Sequence, residues 1–246
     1  DLGEDRKNIS GMIKTFLETF KAKATQNRPA LIMKTSSADF SPIDREEMLT
    51  KIRQVSALVN GGKNLPNIYL IHGDLTNDEM NSLYNHPKIK AHVTFTKGEG
   101  FGRPLAEASL SEKVIIAPNW SGQVDFLKHS IKLGGQLTNV HPSAVWQDVI
   151  LPESQWFTVH YIQGVDAFKY AYDKKNQKPM NLLAKRQARF IKDNFAIKNM
   201  EEQLSSYLDK YTSNIPTQVA LKLPKLNKIA PTKPEIKLPK LKKVEL

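Results

Sequence analysis

Hydrophobic and polar positions alternate along the chain in a way that predicts strands separated by helices. Between residues 8 and 24, apolar side chains recur every three or four positions, which is the spacing of an amphipathic helix. Short apolar runs of strand length follow, with helix-like stretches between them. The predicted strands are Ala30–Met33, Asn67–Ile71, His92–Thr96 and Lys113–Pro118. This order is typical of an α/β protein with a Rossmann-like parallel sheet that helices cover on both faces.

Local signals mark where several helices begin. The pair Ser41–Pro42 is typical of an N-cap followed by a first helical turn. Thr76 and Glu79 have the spacing of a capping box, which predicts a short helix after them. A further helix is predicted over residues 121–127, opened by a serine and a glycine.

Beyond Leu133 the pattern changes to a loop-rich stretch with weak strand signals. Three more helices are predicted after it, at about Val165–Tyr172, Pro179–Asn194 and Ala196–Tyr211. We interpret them as an extension packed on the same domain. The predicted organisation is therefore one domain over residues 1–213, followed by a flexible Lys/Pro-rich tail over residues 214–246.

The net charge of +11 is concentrated in that tail. Eight Lys and two Glu between residues 217 and 246 supply six of the eleven net charges. The same stretch holds four prolines and a near-repeat of residues 221–228 at 236–243. Frequent proline prevents helix formation, and this composition favours an extended chain. The tail is either a solvated segment or a docking segment for a partner or an anionic surface. Because more than half of the net positive charge lies in this tail, we expect no nucleic-acid partner.

Composition excludes several classes of site. The chain has no cysteine, so disulfides and thiolate metal sites are excluded, and its six histidines show no metal-ligand spacing. We expect neither a metal ion nor a cofactor. No apolar run reaches the roughly 18 residues that a transmembrane segment needs, and no signal-peptide pattern is present. A cytoplasmic protein is the simplest expectation.

The segment Lys97–Glu107 carries the clearest chemical signal. A predicted strand leads into three glycines, and a helix with an inward carboxylate follows them. Glycine allows the backbone to approach a ligand closely, and a helix N-terminus offers N–H groups and a positive dipole end to an anion. Since ligands of parallel sheets gather at the carboxyl ends of the strands, this segment predicts a site for a sugar nucleotide.

Taken in order, these motifs resemble those of a known enzyme family. The matching segments are Arg6–Asn8, Asn67–Gly73, Glu99–Glu107, Val114–Pro118, Ser121–Gly122 and Phe195–Gln203. They resemble the C-terminal, donor-binding domain of retaining GT-B glycosyltransferases, in the large family that includes sucrose synthases and bacterial mannosyltransferases. The resemblance covers roughly residues 1–211. It implies a hexosyltransferase that uses a nucleoside diphosphate sugar as donor, without a metal ion, and retains the anomeric configuration.

The resemblance also implies roles for individual residues. Glu107 corresponds to the carboxylate that accepts the ribose hydroxyls, and Glu99 to the carboxylate near the donor sugar. Lys7 matches the lysine that balances the charge of the departing diphosphate; Lys7 and Glu99 are thus the candidate catalytic residues. The other donor-binding candidates lie in the glycine loop, the helix start, the base-contacting turn and the sugar-side loop: Gly100, Phe101, Gly102, Arg103, Pro104, Leu105, Leu75, Ser121 and Gly122.

The sequence departs from this family in one position of the diphosphate site. The family usually has an arginine five or six residues before the lysine, where this chain has Leu2 and Asp1. Either the first strand is cut short and the register differs, or the diphosphate clamp is incomplete, with Arg103 as a partial substitute. The start at Asp1 implies that the N-terminal acceptor domain lies outside this chain, and the acceptor, whether glycan, lipid or protein, is unknown.

Two alternatives to a glycosyltransferase stay open. One is a non-catalytic nucleotide- or glycan-binding module that serves attachment or scaffolding. The other is a phosphorylase-like GT-B enzyme with a cofactor bound to a lysine, for which no supporting motif is present.

Overall fold

A computed structural model describes residues 5–35 and 40–212 of the chain. Its helices are α1 (Ile9–Phe20), α2 (Pro42–Ala57), α3 (Asn77–Asn85), α4 (Arg103–Leu110), α5 (Tyr161–Tyr172), α6 (Gln177–Phe195) and α7 (Ile197–Thr212). Its strands are β1 (Leu31–Lys34), β2 (Ile68–Ile71), β3 (Ala91–Val93), β4 (Val114–Pro118), β5 (Ile131–Leu133), β6 (Gly135–Asn139) and β7 (Gln155–Val159).

The strands form two parallel groups and one antiparallel hairpin. β1 pairs with β2, with Leu31 opposite Ile68, and the second group has the order β3-β4-β5, with Ala91 opposite Val114. β6 and β7 form the hairpin. Helix α2 connects β1 to β2, and α4 connects β3 to β4, so the fold is a mixed α/β, Rossmann-like fold, as the alternating pattern predicts.

Strand β4 shows how the parallel sheet separates two cores. All five of its residues are buried. Val114 and Ile116 belong to one hydrophobic cluster, whereas Ile115 and Ala117 belong to a second. Successive side chains of a strand point to opposite faces, so the sheet is covered on both sides.

Different helices cover the two faces. The first cluster receives side chains from α1, α2, α5 and the beginning of α6, with an edge-to-face contact between Phe16 and Phe168 at 5.6 Å. The second receives them from α3, α4 and the end of α6. Helix α6 therefore contributes to both cores, and its Gln187 bonds to the backbone of Phe126 at 2.8 Å. Side chains of α5 and α6 thus pack in the same cores as the strands.

The helix caps predicted from sequence are present. Ser41 accepts a hydrogen bond from the N–H of Asp44 at 3.1 Å, at the start of α2. Thr76 and Glu79 form both bonds of a capping box at the start of α3. These motifs involve residues three positions apart, so the local sequence is sufficient to specify them.

Two local predictions were wrong. Residues 121–127 do not form an α-helix; only a short 3₁₀ turn, Gly122–Asp125, is present. The loop-rich stretch after Leu133 contains the β6–β7 hairpin, in which Leu137 pairs with Phe157. The paired residues of this hairpin are 16 to 24 positions apart in the sequence, so no short turn signal predicts it.

The chain divides into two compact units, Asp1–Gln203 and Leu204–Leu246. The first contains every strand named above, the helices α1–α6 and the beginning of α7. Of the second, only the last turns of α7 are described, and the tail predicted over residues 214–246 lies outside the described residues. No helix in the described ranges is long and apolar enough to cross a membrane.

Candidate functional site

The glycine segment and the Ser121–Gly122 turn cross each other in close contact. The N–H of Gly122 donates to the carbonyl of Glu99 at 3.0 Å. A β-carbon on Gly122 would lie 1.9 Å from the carbonyl oxygen of Gly100. Only glycine therefore fits at this crossing, which brings together two segments that the sequence predicted for one site.

The hydroxyl of Ser121 stabilises this crossing, and the backbone of Ser121 is strained. Its hydroxyl donates to the carbonyl of Glu99 at 2.7 Å and accepts from the N–H of the same residue at 3.1 Å. Its φ angle is +70°, a conformation that non-glycine residues rarely adopt and that costs about 1–3 kcal/mol. Such strain persists where surrounding contacts enforce it, and it is concentrated at functional sites.

The side chain of Glu99 is the centre of a charged cluster. Lys7 Nζ contacts Glu99 Oε1, and Arg6 Nη1 lies 3.5 Å from Glu99 Oε2. The hydroxyl of Thr96 donates to Glu99 Oε1 at 2.8 Å. Arg6 also donates to the carbonyl of Gly98. The carboxylate is 14% exposed, whereas the two basic side chains are about half exposed.

These contacts keep Glu99 ionised. Burial alone would raise the pKa of its carboxyl group. The hydrogen bonds from Lys7 and Thr96, together with the charges of Lys7 and Arg6, outweigh that effect and lower the pKa of Glu99. The site therefore contains one buried negative charge and two cations at its solvent side.

The structure adds Arg6 and Thr96 to the residues predicted from sequence. The sequence indicates Arg6 only as a neighbour of Lys7 in the matching segment, and Thr96 only as the end of a predicted strand. Lys7 and Glu99 are 92 positions apart in the sequence, and three helices (α1–α3) and three strands (β1–β3) separate them. The ion pair of Arg6 with Glu99 therefore has no local sequence signal, whereas Thr96 lies only three positions from Glu99 in the sequence.

The start of α4 presents backbone donors next to this cluster. Gly102 caps the helix with a φ of +91°. Leu105 donates its N–H to the carbonyl of Gly102 at 2.9 Å, and its side chain is buried in the second core. Pro104 has no N–H. Among the described residues, the N–H groups of Gly100, Phe101, Gly102 and Arg103 have no hydrogen-bond partner, so they remain available to an anion.

Glu107 lies on the exposed side of α4. Its carboxylate forms an ion pair with Arg103 Nε at 3.1 Å, and its side chain is 41% exposed. Both charges act on the hydroxyl of Tyr84, whose pKa is raised to about 12 by burial first and then by Glu107, against the opposing effect of Arg103. Glu107 is thus accessible to solvent next to α3.

Leu75 and Phe101 are two donor-site candidates that lie in different loops. Leu75 is half-buried in the turn between β2 and α3, three positions after His72, whose ring bonds to Asp44 at 2.7 Å. Phe101 is 44% exposed, and its ring packs on Phe126 with centroids 4.8 Å apart. Part of the Phe101 side chain is therefore structural.

The β6–β7 hairpin, which the sequence did not predict, places aromatic side chains beside the glycine segment. The N–H of Phe157 donates to the carbonyl of Lys97 at 3.3 Å. Trp120 stacks on the ring of Phe157 at 5.6 Å with an interplanar angle of 7°, and Trp120 is 41% exposed. Lys97 is buried, with its Nζ 5.1 Å from the ring centroid of Trp156. The hairpin thus borders the glycine segment, and one face of Trp120 is open.

No group of three or more His, Cys, Asp or Glu side chains within residues 5–35 and 40–212 is arranged to hold a metal ion.

Comparison with known proteins supports the fold. The sequence matches no protein-family model and no curated protein. Among solved structures, the chain is similar to the N-terminal domain of the trehalose-6-phosphate phosphatase of Candida albicans, with a TM-score of 0.56 and 11% sequence identity. The similarity covers 84% of this chain but only 39% of that one, so the chain spans about two-fifths of the length of its structural neighbour. At this identity, the likeness concerns the Rossmann-like fold alone.

Proposed function

We propose that this chain is the donor-binding domain of a retaining GT-B glycosyltransferase. It would bind a nucleoside diphosphate sugar and support transfer of the hexose to an acceptor. The observation that carries the proposal is the charged cluster around Glu99, in which two cations lie beside the unpaired N–H groups of a glycine loop. This combination suits a ligand with an anionic diphosphate and a polar sugar.

The basic side chains would hold the diphosphate. Lys7 and Arg6 are about half exposed, and both pair with the carboxylate of Glu99. On donor binding, they would share their hydrogen bonds with the phosphate oxygens, joined by the N–H groups of the loop. Stabilising the negative charge of the leaving diphosphate in this way lowers the barrier to transfer without a metal ion. Arg6 would then supply the second cation that the resemblance lacked.

The carboxylates would recognise the other parts of the donor. Glu107 is an acceptor-only group when ionised, which suits the two hydroxyls of a ribose. Its partner Arg103 is highly exposed, so it can turn away at little cost. Glu99 would orient hydroxyls of the sugar, and Leu75 would contact the base. The acceptor would be bound by another domain, as in the family that the sequence resembles.

A non-catalytic nucleotide- or glycan-binding module is the second candidate function. It is favoured by the contacts of Glu99, whose carboxylate already has three partners and can be explained as a purely structural ion-pair centre. In such a module, the pocket would bind a nucleotide or a glycan, but the bound sugar would not be transferred or hydrolysed.

Calorimetric titration with UDP-glucose, GDP-mannose and ADP-glucose tests donor binding. We expect saturable binding of one of these compounds, and the Glu107→Ala variant should bind it about 1–3 kcal/mol more weakly because a charged hydrogen-bond acceptor is lost. Glu112→Ala is a suitable control, because Glu112 follows the same helix but lies outside the predicted site. Absence of binding to all three compounds at millimolar concentration would overturn the proposal.

Hydrolysis of the bound donor separates the two candidate functions. A glycosyltransferase donor domain is expected to release hexose slowly from the compound that it binds, with Lys7→Ala reducing the rate more than the affinity. If the sugar nucleotide binds but its hexose is neither hydrolysed nor transferred, even when candidate acceptors and the remainder of the enzyme are added, the non-catalytic module is favoured.

A further inference from the structure

A cavity of about 160 Å³ lies at the amino ends of β3 and β4, whereas the glycine segment follows the carboxyl end of β3. The cavity is bordered by the turn after α3, the residues that enter the two strands and the first two turns of α6. Four of its side chains are polar: Lys90, Lys113, Gln177 and Asn181. None of them belongs to the candidate donor site, so the cavity is separate from that site.

The two lysine side chains of this cavity are held by the end of α3. Lys90 Nζ donates to the carbonyl of Pro87 at 2.9 Å, and Lys113 Nζ donates to the carbonyl of His86 at 3.3 Å. Because these carbonyls belong to neighbouring residues, both ammonium groups lie at the same turn. An ammonium group has three N–H donors, so each lysine retains two donors for a further partner.

The charges of the two lysines are not balanced by a described carboxylate. Within residues 5–35 and 40–212, neither Lys90 nor Lys113 forms an ion pair with an Asp or Glu side chain. The first turn of α6, which borders the cavity, holds no acidic residue, and a helix N-terminus carries the positive end of the helix dipole. Since like charges at one turn repel each other, a bound anion would stabilise this arrangement.

The other side chains and the size of the cavity narrow the choice of anion. Ile89, Val114 and Met180 give it an apolar side next to the lysines. The amide of Asn181 makes no hydrogen bond within the described ranges, so its N–H groups are available to an oxygen atom of a ligand. Pockets for drug-sized ligands measure about 300–1,000 Å³, so this cavity is too small for a sugar nucleotide. Its dimensions and lining suit a phosphate group on a short carbon chain.

We propose that this cavity binds a small phosphate monoester. Lys90 and Lys113 would donate to the phosphate oxygens with the N–H groups that they retain, and such charge-assisted bonds are about twice as strong as neutral ones. Asn181 would add its amide, and the carbon chain would lie on the apolar side. The inference does not rest on the proposed function, because the candidate donor site lies at the other end of the same strands.

NMR titration of the full chain tests the proposal. Glycerol 3-phosphate and inorganic phosphate are added in separate experiments at constant ionic strength. The signals to follow are the side-chain amides of Gln177 and Asn181 and the backbone amides of Lys90 and Lys113. We expect glycerol 3-phosphate to shift these signals saturably at millimolar concentration, and inorganic phosphate to bind more weakly because it cannot contact the apolar side. Tighter or equal binding of inorganic phosphate would overturn the monoester and show a site for free phosphate.

Three variants locate the binding site. Lys113→Gln should weaken binding of glycerol 3-phosphate about tenfold, because a charge-assisted hydrogen bond is lost. Lys88→Gln is the matched control, because Lys88 is exposed in the same turn but does not line the cavity. Asn181→Asp changes an exposed side chain of α6, so the fold should persist while the new carboxylate abolishes binding.

Three results would overturn the proposal. One is the absence of saturable shifts at the four amide positions. Another is equal weakening by Lys88→Gln and Lys113→Gln, since that would show diffuse attraction to a positive surface. The third is unchanged binding by Asn181→Asp. Signals of the glycine segment report on the candidate donor site in the same spectra, so the failure of either proposal is seen independently.

Discussion

Replacing Gly122 with alanine is expected to destabilise the crossing of the two site loops. The new β-carbon would lie 1.9 Å from the carbonyl oxygen of Gly100, and real β-carbons essentially never approach a heavy atom within 3.0 Å. The backbone at Gly100 or Gly122 must therefore move by more than 1 Å. That movement would disturb the hydrogen bonds at 3.0 Å and 2.7 Å that Gly122 and Ser121 make to the carbonyl of Glu99.

The magnitude follows from these contacts. Overpacking costs about 1–3 kcal/mol, and each weakened hydrogen bond about 1 kcal/mol. Alanine lowers the conformational entropy of the unfolded chain, which offsets up to about 1 kcal/mol of this destabilisation. We therefore expect the free energy of unfolding to fall by about 2–4 kcal/mol, measured by urea denaturation monitored with tryptophan fluorescence. Donor binding should be lost in the same variant under native conditions, because the glycine loop would be displaced.

Gly100→Ala is the matched control for this substitution. Gly100 is on the same crossing, but a β-carbon there would meet no heavy atom within 4 Å, and its φ is not positive. Its free energy of unfolding should change by less than about 1 kcal/mol. Equal destabilisation by the two alanines, or a change below about 0.5 kcal/mol for Gly122→Ala, would refute the close-contact explanation.

Three further predictions concern charge, pH and sugar binding. Glu99→Gln should reduce the free energy of unfolding by about 1–2 kcal/mol at pH 7, while Glu107→Gln, which removes an exposed ion pair, should change it by less than about 0.5 kcal/mol. Because the pKa of Glu99 is lower in the folded protein than its ordinary value of 4.5, the ionised carboxylate stabilises the fold above that pH. The difference in free energy of unfolding between Glu99→Gln and the parent protein, measured by urea titration, should therefore disappear as the pH falls below 4.5. Burial lowers the pKa of His92 from 6.5 to about 4, so the unfolded chain takes up this proton at a higher pH than the folded protein. The free energy of unfolding should therefore fall by about 2–3 kcal/mol as the pH is lowered from 6.5 to 4, and by less in His92→Phe. Parallel plots of this free energy against pH for the two proteins would contradict the prediction. Trp120→Ala should weaken binding of a sugar nucleotide about tenfold but leave binding of the free nucleoside diphosphate unchanged. Trp146→Ala, which removes a more exposed indole outside the predicted site, should affect neither in calorimetric titration.

Features that depend on neighbouring residues could be predicted from the sequence. The caps at Ser41 and Thr76 and the strand Val114–Pro118 are set by side chains a few positions apart. Hydrophobic runs of strand length between helical repeats were also sufficient to predict the parallel α/β fold. Neither the 3₁₀ turn over residues 122–125 nor the β6–β7 hairpin could be predicted in this way. The first follows from the strained contact of Ser121 with Glu99, and the second from pairing across a long loop.

The candidate site combines both kinds of information. By itself, the sequence determined the glycine loop, the helix after it and the carboxylates of Glu99 and Glu107, because these belong to one continuous segment. Only the tertiary structure decided that Lys7 and Arg6 pair with Glu99, that Gly122 packs against the loop, and that Trp120 stacks on the hairpin. The physical reason is that a hydrogen bond or a steric contact depends on distance in space, and residues 92 positions apart acquire that distance only when the helices and strands between them have packed.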